Sequence, residues 1–248
     1  WRGFHGANCI DHWRFPRHRP GNRPAARPAG NTHRRSLPRA KGESGSARPM
    51  PASVGRGCVI LSGRRCDREQ VTNMMHKIEQ AFGGIDILVH CAGIAQQLLF
   101  TNITPEDWRR MFAVHVDGLY HCCQAVLPHM IRQKAGRIVT VSSMWGEVGA
   151  SCEVHYSAAK SAVIGMTKAL AKELGPSGIT VNCVSPGVID TDMNNMLTQE
   201  AREALCEETP LCRIGTAREA AEAIAFLASG KASFITGQVL GVNGGIVI

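Results

Sequence analysis

The sequence predicts an α/β fold, a doubly wound parallel sheet with helices on both faces. Three observations carry that expectation. From residue 67 onward, stretches of helical periodicity alternate with short apolar, β-branched runs. The run Ile85–Val89 is apolar almost throughout, the pattern of a strand covered on both sides and therefore parallel. Turns rich in glycine and hydroxyl-bearing residues follow the strand runs, where open α/β sheets bind ligands.

Asp67 and Gln70 fit the N-cap and N3 positions of a capping box. The helix they open spans 68–82, with Val71, Met74, Met75 and Ile78 on one face and Gly83-Gly84 as its stop. The strand 85–89 follows and ends at Cys91-Ala92-Gly93. Thr104 caps the next helix with Pro105 at N1. That helix runs to about residue 133, with a break expected near Gly118. Strand 137–142, a long helix 155–174 and strand 179–184 come next. Two shorter helices, 198–208 and 217–229, precede a last strand at 238–242. No internal repeat is found.

The 248 residues, 44% of them hydrophobic, suit one domain with an appendage. Net charge is +8, but it is unevenly placed. Residues 1–66 hold 14 Lys and Arg against Asp11 and Glu43, whereas residues 67–248 hold 14 against 18 Asp and Glu. The first segment carries seven prolines, no usable period and no aromatic beyond Phe15, so it lacks the interleaved aromatics of a base-stacking platform. It reads as a basic Arg/Pro-rich tail unable to offset its ordering entropy, not as a nucleic-acid arm. No apolar run approaches the roughly 18–20 residues of a membrane span, and no secretory h-region opens the chain. The ten cysteines show neither C-x-x-C pairs nor zinc-ligand spacing, so reduced thiols, a cytoplasmic location and no metal site are expected.

The chemistry concentrates around Tyr156 and Lys160. Four residues apart on a helix, they share a face. An ammonium beside a phenol favours the phenolate and lowers the phenol pKa from about 10, which suits a general acid or base near neutrality. Ser143 lies at a strand end thirteen residues upstream, able to bond the same substrate oxygen. Asn182–Gly187 carries another strand into a turn, followed by Val188–Thr191.

This ordered set resembles the short-chain dehydrogenase/reductase family. The residues that carry the resemblance are Asp86–Gly93, Gly136–Ser143, Tyr156–Lys160, Val181–Thr191 and Ile235–Gly245, within 67–248. Within the family, the chain is similar to bacterial 3-oxoacyl-[acyl-carrier-protein] reductases. The stretch 143–156 and the ending Asn243–Ile248 also resemble reductases of the 5-aminopentanone group on elongation factor P. The resemblance implies a Rossmann-like fold, a homotetramer, and a carbonyl substrate bound to acyl-carrier protein. It implies hydride from NAD(P)H, with NADP(H) favoured over NAD(H). It makes Tyr156 the proton donor, Lys160 its activator and ribose contact, and Ser143 the carbonyl-polarising hydroxyl. Cys91, Ala92, Gly93, Pro186, Gly187 and Ile189 would line the cofactor. Gln96–Leu99 and Thr191–Glu208 would border the substrate.

Two departures stand out. The family's Asn-Asn-Ala-Gly is His90-Cys91-Ala92-Gly93 here, and the Asn that completes its proton relay is His115. His115 reads either as a helix histidine satisfied by a neighbour or, since an imidazole exchanges protons near neutral pH, as a substitute for that Asn. The family's opening strand, its T-G-x-x-x-G-I-G loop and the helix that receives the pyrophosphate have no counterpart in residues 1–66. The chain then has an inactive-fragment reading beside the reductase one. Back-translation offers an explanation. Read one base later with allowed wobble choices, codons for His5-Gly6 give Met, and those that follow give E-Q-T-A-L-I-T-G-G-S-R-G-I-G-R. Residues 1–65 are accordingly expected to be an out-of-frame reading, restored near Arg64–Cys66.

Overall fold

The computed structural model describes residues 68–194 and 197–248. The capping box at Asp67 and the reading of residues 1–66 lie outside them. The described part of the sheet consists of β1 (Ile87–His90), β2 (Gly136–Val141), β3 (Ile179–Pro186) and β6 (Val239–Val242), in that spatial order. All three pairings are parallel, with Ile87 opposite Arg137, Gly136 opposite Ile179 and Cys183 opposite Val239. A second, two-stranded parallel sheet pairs β4 (Ile189–Asp190) with β5 (Gly215–Thr216).

Helices cover both faces. On one, α1 (Arg68–Phe82), α3 (Gly118–Gln133) and α5 (Val154–Leu174) pack Val71, Met75, Leu119, Val126, Met130 and Val163 over Leu88, Ile138, Ile179 and Val181. On the other, α7 (Ala217–Ala228) sets Leu227 over Val139 and Val184. Adjacent strand positions therefore feed opposite cores, as the two-residue period requires. The expectation that β1 is covered on both faces does not hold among the described residues: Leu88 and His90 are buried, while Ile87 is 43% and Val89 40% exposed. On that side α7 packs chiefly on β2, β3 and β6.

Local signals explain the boundaries. Thr104 caps α2 (Pro105–Phe112) in a reciprocal box: its Oγ1 accepts from Asp107 N at 3.1 Å, and Asp107 Oδ2 accepts from Thr104 N at 3.2 Å. Thr198 caps α6 (Gln199–Glu208), and Thr216 with Glu219 forms the same box at α7. The break expected near Gly118 takes the form of a π-helical turn over Ala113–Asp117, immediately before α3. A short helix α4 (Trp145–Val148) between β2 and α5 and the two-residue strands β4 and β5 have no periodic signal, being shorter than a period can register.

Gly178, in the left-handed region at φ 72°, turns the chain from α5 into β3. A Cβ there would stand 2.4 Å from Lys134 O. Gly178→Ala is expected to lower unfolding free energy by about 1–3 kcal/mol, read from urea denaturation midpoints; an unchanged midpoint would contradict this packing.

Candidate active site

All four strands of the main sheet run the same way, so His90, Val141, Pro186 and Val242 end on one edge. The candidate site is built there. Ser143 stands two residues beyond β2, 8% exposed, its Oγ accepting from Trp145 N at 3.2 Å. Tyr156 and Lys160 project from the first turns of α5 and are both buried.

Lys160 is anchored twice to the end of β2. Its Nζ donates to Val141 O at 3.0 Å, and its backbone carbonyl accepts from Ser142 Oγ at 2.9 Å. Its Nζ also stands 5.6 Å from the centre of the Tyr156 ring. Gly146, on α4, permits this proximity, because a Cβ there would come within 2.9 Å of the Lys160 Cβ. The small residues after Tyr156 serve packing and turn formation: Ala159 is fully buried and Ser157 Oγ accepts from Ala150 N at 3.2 Å.

His115 joins the cluster through the π-turn. Its ring meets the Tyr156 ring edge-on, centroids 5.5 Å apart. Nε2 lies 2.8 Å from Ile94 O and 3.2 Å from Ile94 N, while Nδ1 is buried without a hydrogen-bond partner. Burial, and then the Lys160 charge, push its pKa down to about 3. That shift favours the neutral ring, which supports the reading of His115 as a histidine satisfied by its neighbours over that of a proton relay.

The residues expected to line a cofactor also gather at this edge. Gly93 is buried where a Cβ would reach 2.7 Å from His115 Cε1 and 3.6 Å from Lys160 Nζ, so the chain after β1 passes close beside both. Cys91 and Ala92 precede it at intermediate exposure. Pro186 ends β3, and Gly187 approaches Asn243, where a Cβ would meet Cα at 2.8 Å. Ile189 lies buried in β4, its carbonyl accepting from Asn194 Nδ2 at 2.7 Å. Asn182, from the same motif, holds the sheet together. Its amide donates to Ile235 O and its Oδ1 accepts from Gln238 N, fixing the start of β6. The residues at the strand ends fit the nicotinamide and ribose end of a dinucleotide, with an ammonium and close-approaching backbone. None of the described strand-to-helix turns carries the glycine pattern that receives a pyrophosphate. Among the described residues no group of three or more His, Cys, Asp or Glu converges to hold a metal. No described cysteine is in a disulfide, and no helix among the described residues is long and apolar enough to cross a membrane.

Comparison with known proteins decides the family. Residues 40–247 match the family described as enoyl-(acyl carrier protein) reductase. The chain belongs to the short-chain dehydrogenase/reductase family. The match begins inside the basic segment, upstream of the boundary at 66 that charge defines. The chain is 44% identical over 182 residues to the 3-oxoacyl-[acyl-carrier-protein] reductase FabG of Thermotoga maritima, covering 73% of this chain and 74% of that one. It is 39% identical over 194 residues to the reductase of the same name from Haemophilus influenzae, covering 78% and 79%. Among solved structures it resembles a gluconate 5-dehydrogenase from Burkholderia cenocepacia in complex with NADP and tartrate, with TM-score 0.72, 33% identity, and coverage of 74% and 73%. The short-chain family thus places this protein among NAD(P)-dependent oxidoreductases acting on CH–OH and C=O groups.

The His115 pKa makes a stability prediction. The unfolded state takes up a proton below about pH 6.5 and the folded ring does not, so folding loses up to about 1.4 kcal/mol per pH unit between there and pH 3. Above pH 6.5 the term vanishes. Urea melts across this range, compared with His115→Asn, should show the extra slope only in the parent protein.

Proposed function

We propose that the protein reduces a 3-oxoacyl thioester on acyl-carrier protein to the 3-hydroxyacyl form, with NADPH preferred over NADH. The observation that carries the reading is the double anchoring of Lys160 to β2, which fixes an ammonium beside the Tyr156 phenol. The names of the Thermotoga and Haemophilus relatives support the substrate class, and the NADP in the Burkholderia dehydrogenase supports the cofactor.

When bound, the reduced nicotinamide supplies the hydride. Tyr156 donates its phenolic proton to the carbonyl oxygen as that oxygen gains charge. Lys160 stabilises the resulting phenolate, and the Ser143 hydroxyl donates to the same oxygen and orients the carbonyl. Cys91, Ala92, Gly93, Pro186, Gly187 and Ile189 border the nicotinamide. His115 acts as a neutral ring, holding the loop at Ile94 against Tyr156.

A second substrate reading rests on the resemblance of 143–156 and of the ending Asn243–Ile248 to reductases of the 5-aminopentanone group on elongation factor P.

For residues 1–65 we propose the out-of-frame origin. The encoding DNA tests it: codons for Phe4–Pro20 shifted by one base must spell the glycine loop. If they do, the restored-frame protein is expected to bind NADPH at micromolar concentration and the 248-residue chain at least tenfold more weakly. Codons that do not spell the loop overturn the frame proposal, and equal binding by both chains overturns the expectation that the loop is needed for the cofactor.

Acetoacetyl-thioester reduction is expected to lose about 10²–10⁴-fold in kcat on Tyr156→Phe. Absence of turnover with every carbonyl substrate overturns the reductase reading and leaves an inactive fold. A higher kcat/KM for an aminoketone than for the thioester selects the second substrate.

A further inference from the structure

Tyr156 is the third residue of α5, yet that helix begins without a cap. Glu153, at the N-cap position, has φ −133° and ψ 33° and makes no side-chain capping hydrogen bond. Cys152 before it lies in the left-handed region at φ 61°. The first turn of a helix has N–H groups with no intrahelical partner, and an uncapped first turn is the part that frays. A proton donor on such a turn needs another anchor.

The loop after β1 provides one. The Gln96 side chain bridges two helix starts: its Nε2 donates to Asp107 Oδ1 at 3.0 Å, and its Oε1 stands 3.2 Å from His155 Nε2. Because an amide oxygen only accepts, His155 carries its proton on Nε2 and donates it to Gln96. Asp107 is itself fixed in the α2 capping box. Bonds from Gln96 and then Thr104 hold its carboxyl below the usual carboxylate range. His155 is fully buried and directly precedes Tyr156. Two further bonds run alongside: Gln97 Nε2 to Glu153 Oε1 at 3.1 Å, and Leu98 N to Cys152 O at 2.8 Å. Three successive loop residues thus hold the segment that opens α5.

We propose that Gln96 is a positioning residue for Tyr156, its carboxamide anchoring the uncapped first turn of α5 by tying His155 to the capped start of α2. The proposal rests on the reading of Tyr156 as proton donor. Gln96 spends its amide on Asp107 and its oxygen on His155, and so acts through His155 on where the phenol stands relative to Lys160.

The test uses the full chain and needs no bound cofactor. Gln96→Met keeps the length of the side chain and removes both hydrogen bonds. Peptide-resolved hydrogen exchange is expected to accelerate several-fold at the amides of Ser157–Lys160 and to stay unchanged at 166–174. The second readout is tyrosinate absorbance. The chain has two tyrosines, so in a Tyr120→Phe background the titration reports Tyr156 alone. Gln96→Met is expected to raise that midpoint by about half a unit or more, as the phenol drifts from the ammonium. His155→Leu, which fills the buried space without the bond, should reproduce both shifts. Both readouts are required. Exchange that is unchanged or uniformly faster along α5 overturns the proposal, and so does an unmoved midpoint. A chain that shows both shifts but reduces nothing would overturn the proposed function and leave the positioning role standing.

Discussion

The geometry of the site depends on how one lysine is held. An ammonium taken out of water is costly unless its hydrogen bonds are replaced and its charge is useful to a neighbour. Lys160 meets both conditions, because a strand-end carbonyl receives its Nζ and a phenol ring lies beside it. Ser142 then ties the backbone of the same residue to the same strand. Strand β2 and helix α5 are therefore fixed to each other at the point where chemistry takes place. Ser143, the next residue along from Ser142, inherits that placement.

The surrounding residues make the environment dry and close. Tyr156 forms one apolar cluster with Met111 and Ala159, against which Ile94, Phe112, Val116 and Trp145 pack. His115 fills the remaining side as a neutral aromatic, its titration suppressed by the burial that makes it useful as packing. Gly93 lets the chain after β1 approach within van der Waals distance of that ring. The described residues thus gather the groups proposed for the reacting end of the site, and no glycine-rich phosphate loop occurs among them.

Much of this is legible in the sequence, for physical reasons. Long periodic segments announce themselves: α1 begins and ends where its apolar face and the Gly83-Gly84 stop place it, and Thr104 with Pro105 marks the start of α2. The Tyr156–Lys160 pair follows from helical spacing, and its depth in the fold follows from the strand ends. What sequence does not convey is the consequence of packing. Composition suggests burial on both sides of β1, but among the described residues only Leu88 and His90 are covered. An ordinary imidazole would titrate near neutrality, and the surroundings of His115 change that. Gln96 and His155 give no periodic or spacing signal, since a hydrogen bond between residues 59 apart is a product of topology. The one available hint is polarity: a histidine and two successive glutamines flanking otherwise apolar or small residues near both site segments.

The π-turn at Ala113–Asp117 has a meaning for the history of this helix. A regular helix advances by about 100° per residue, so one extra residue within a turn rotates everything after it by that amount. With the extra residue absorbed locally, His115 faces Tyr156 while Leu119, Cys122, Cys123 and Val126 still face the sheet. A single-residue deletion there would restore ordinary pitch and swing one of these two sets away from its partner. The bulge therefore allows one continuous helix to serve two masters, the reacting pocket and the core, whose angular demands an undistorted helix could not reconcile.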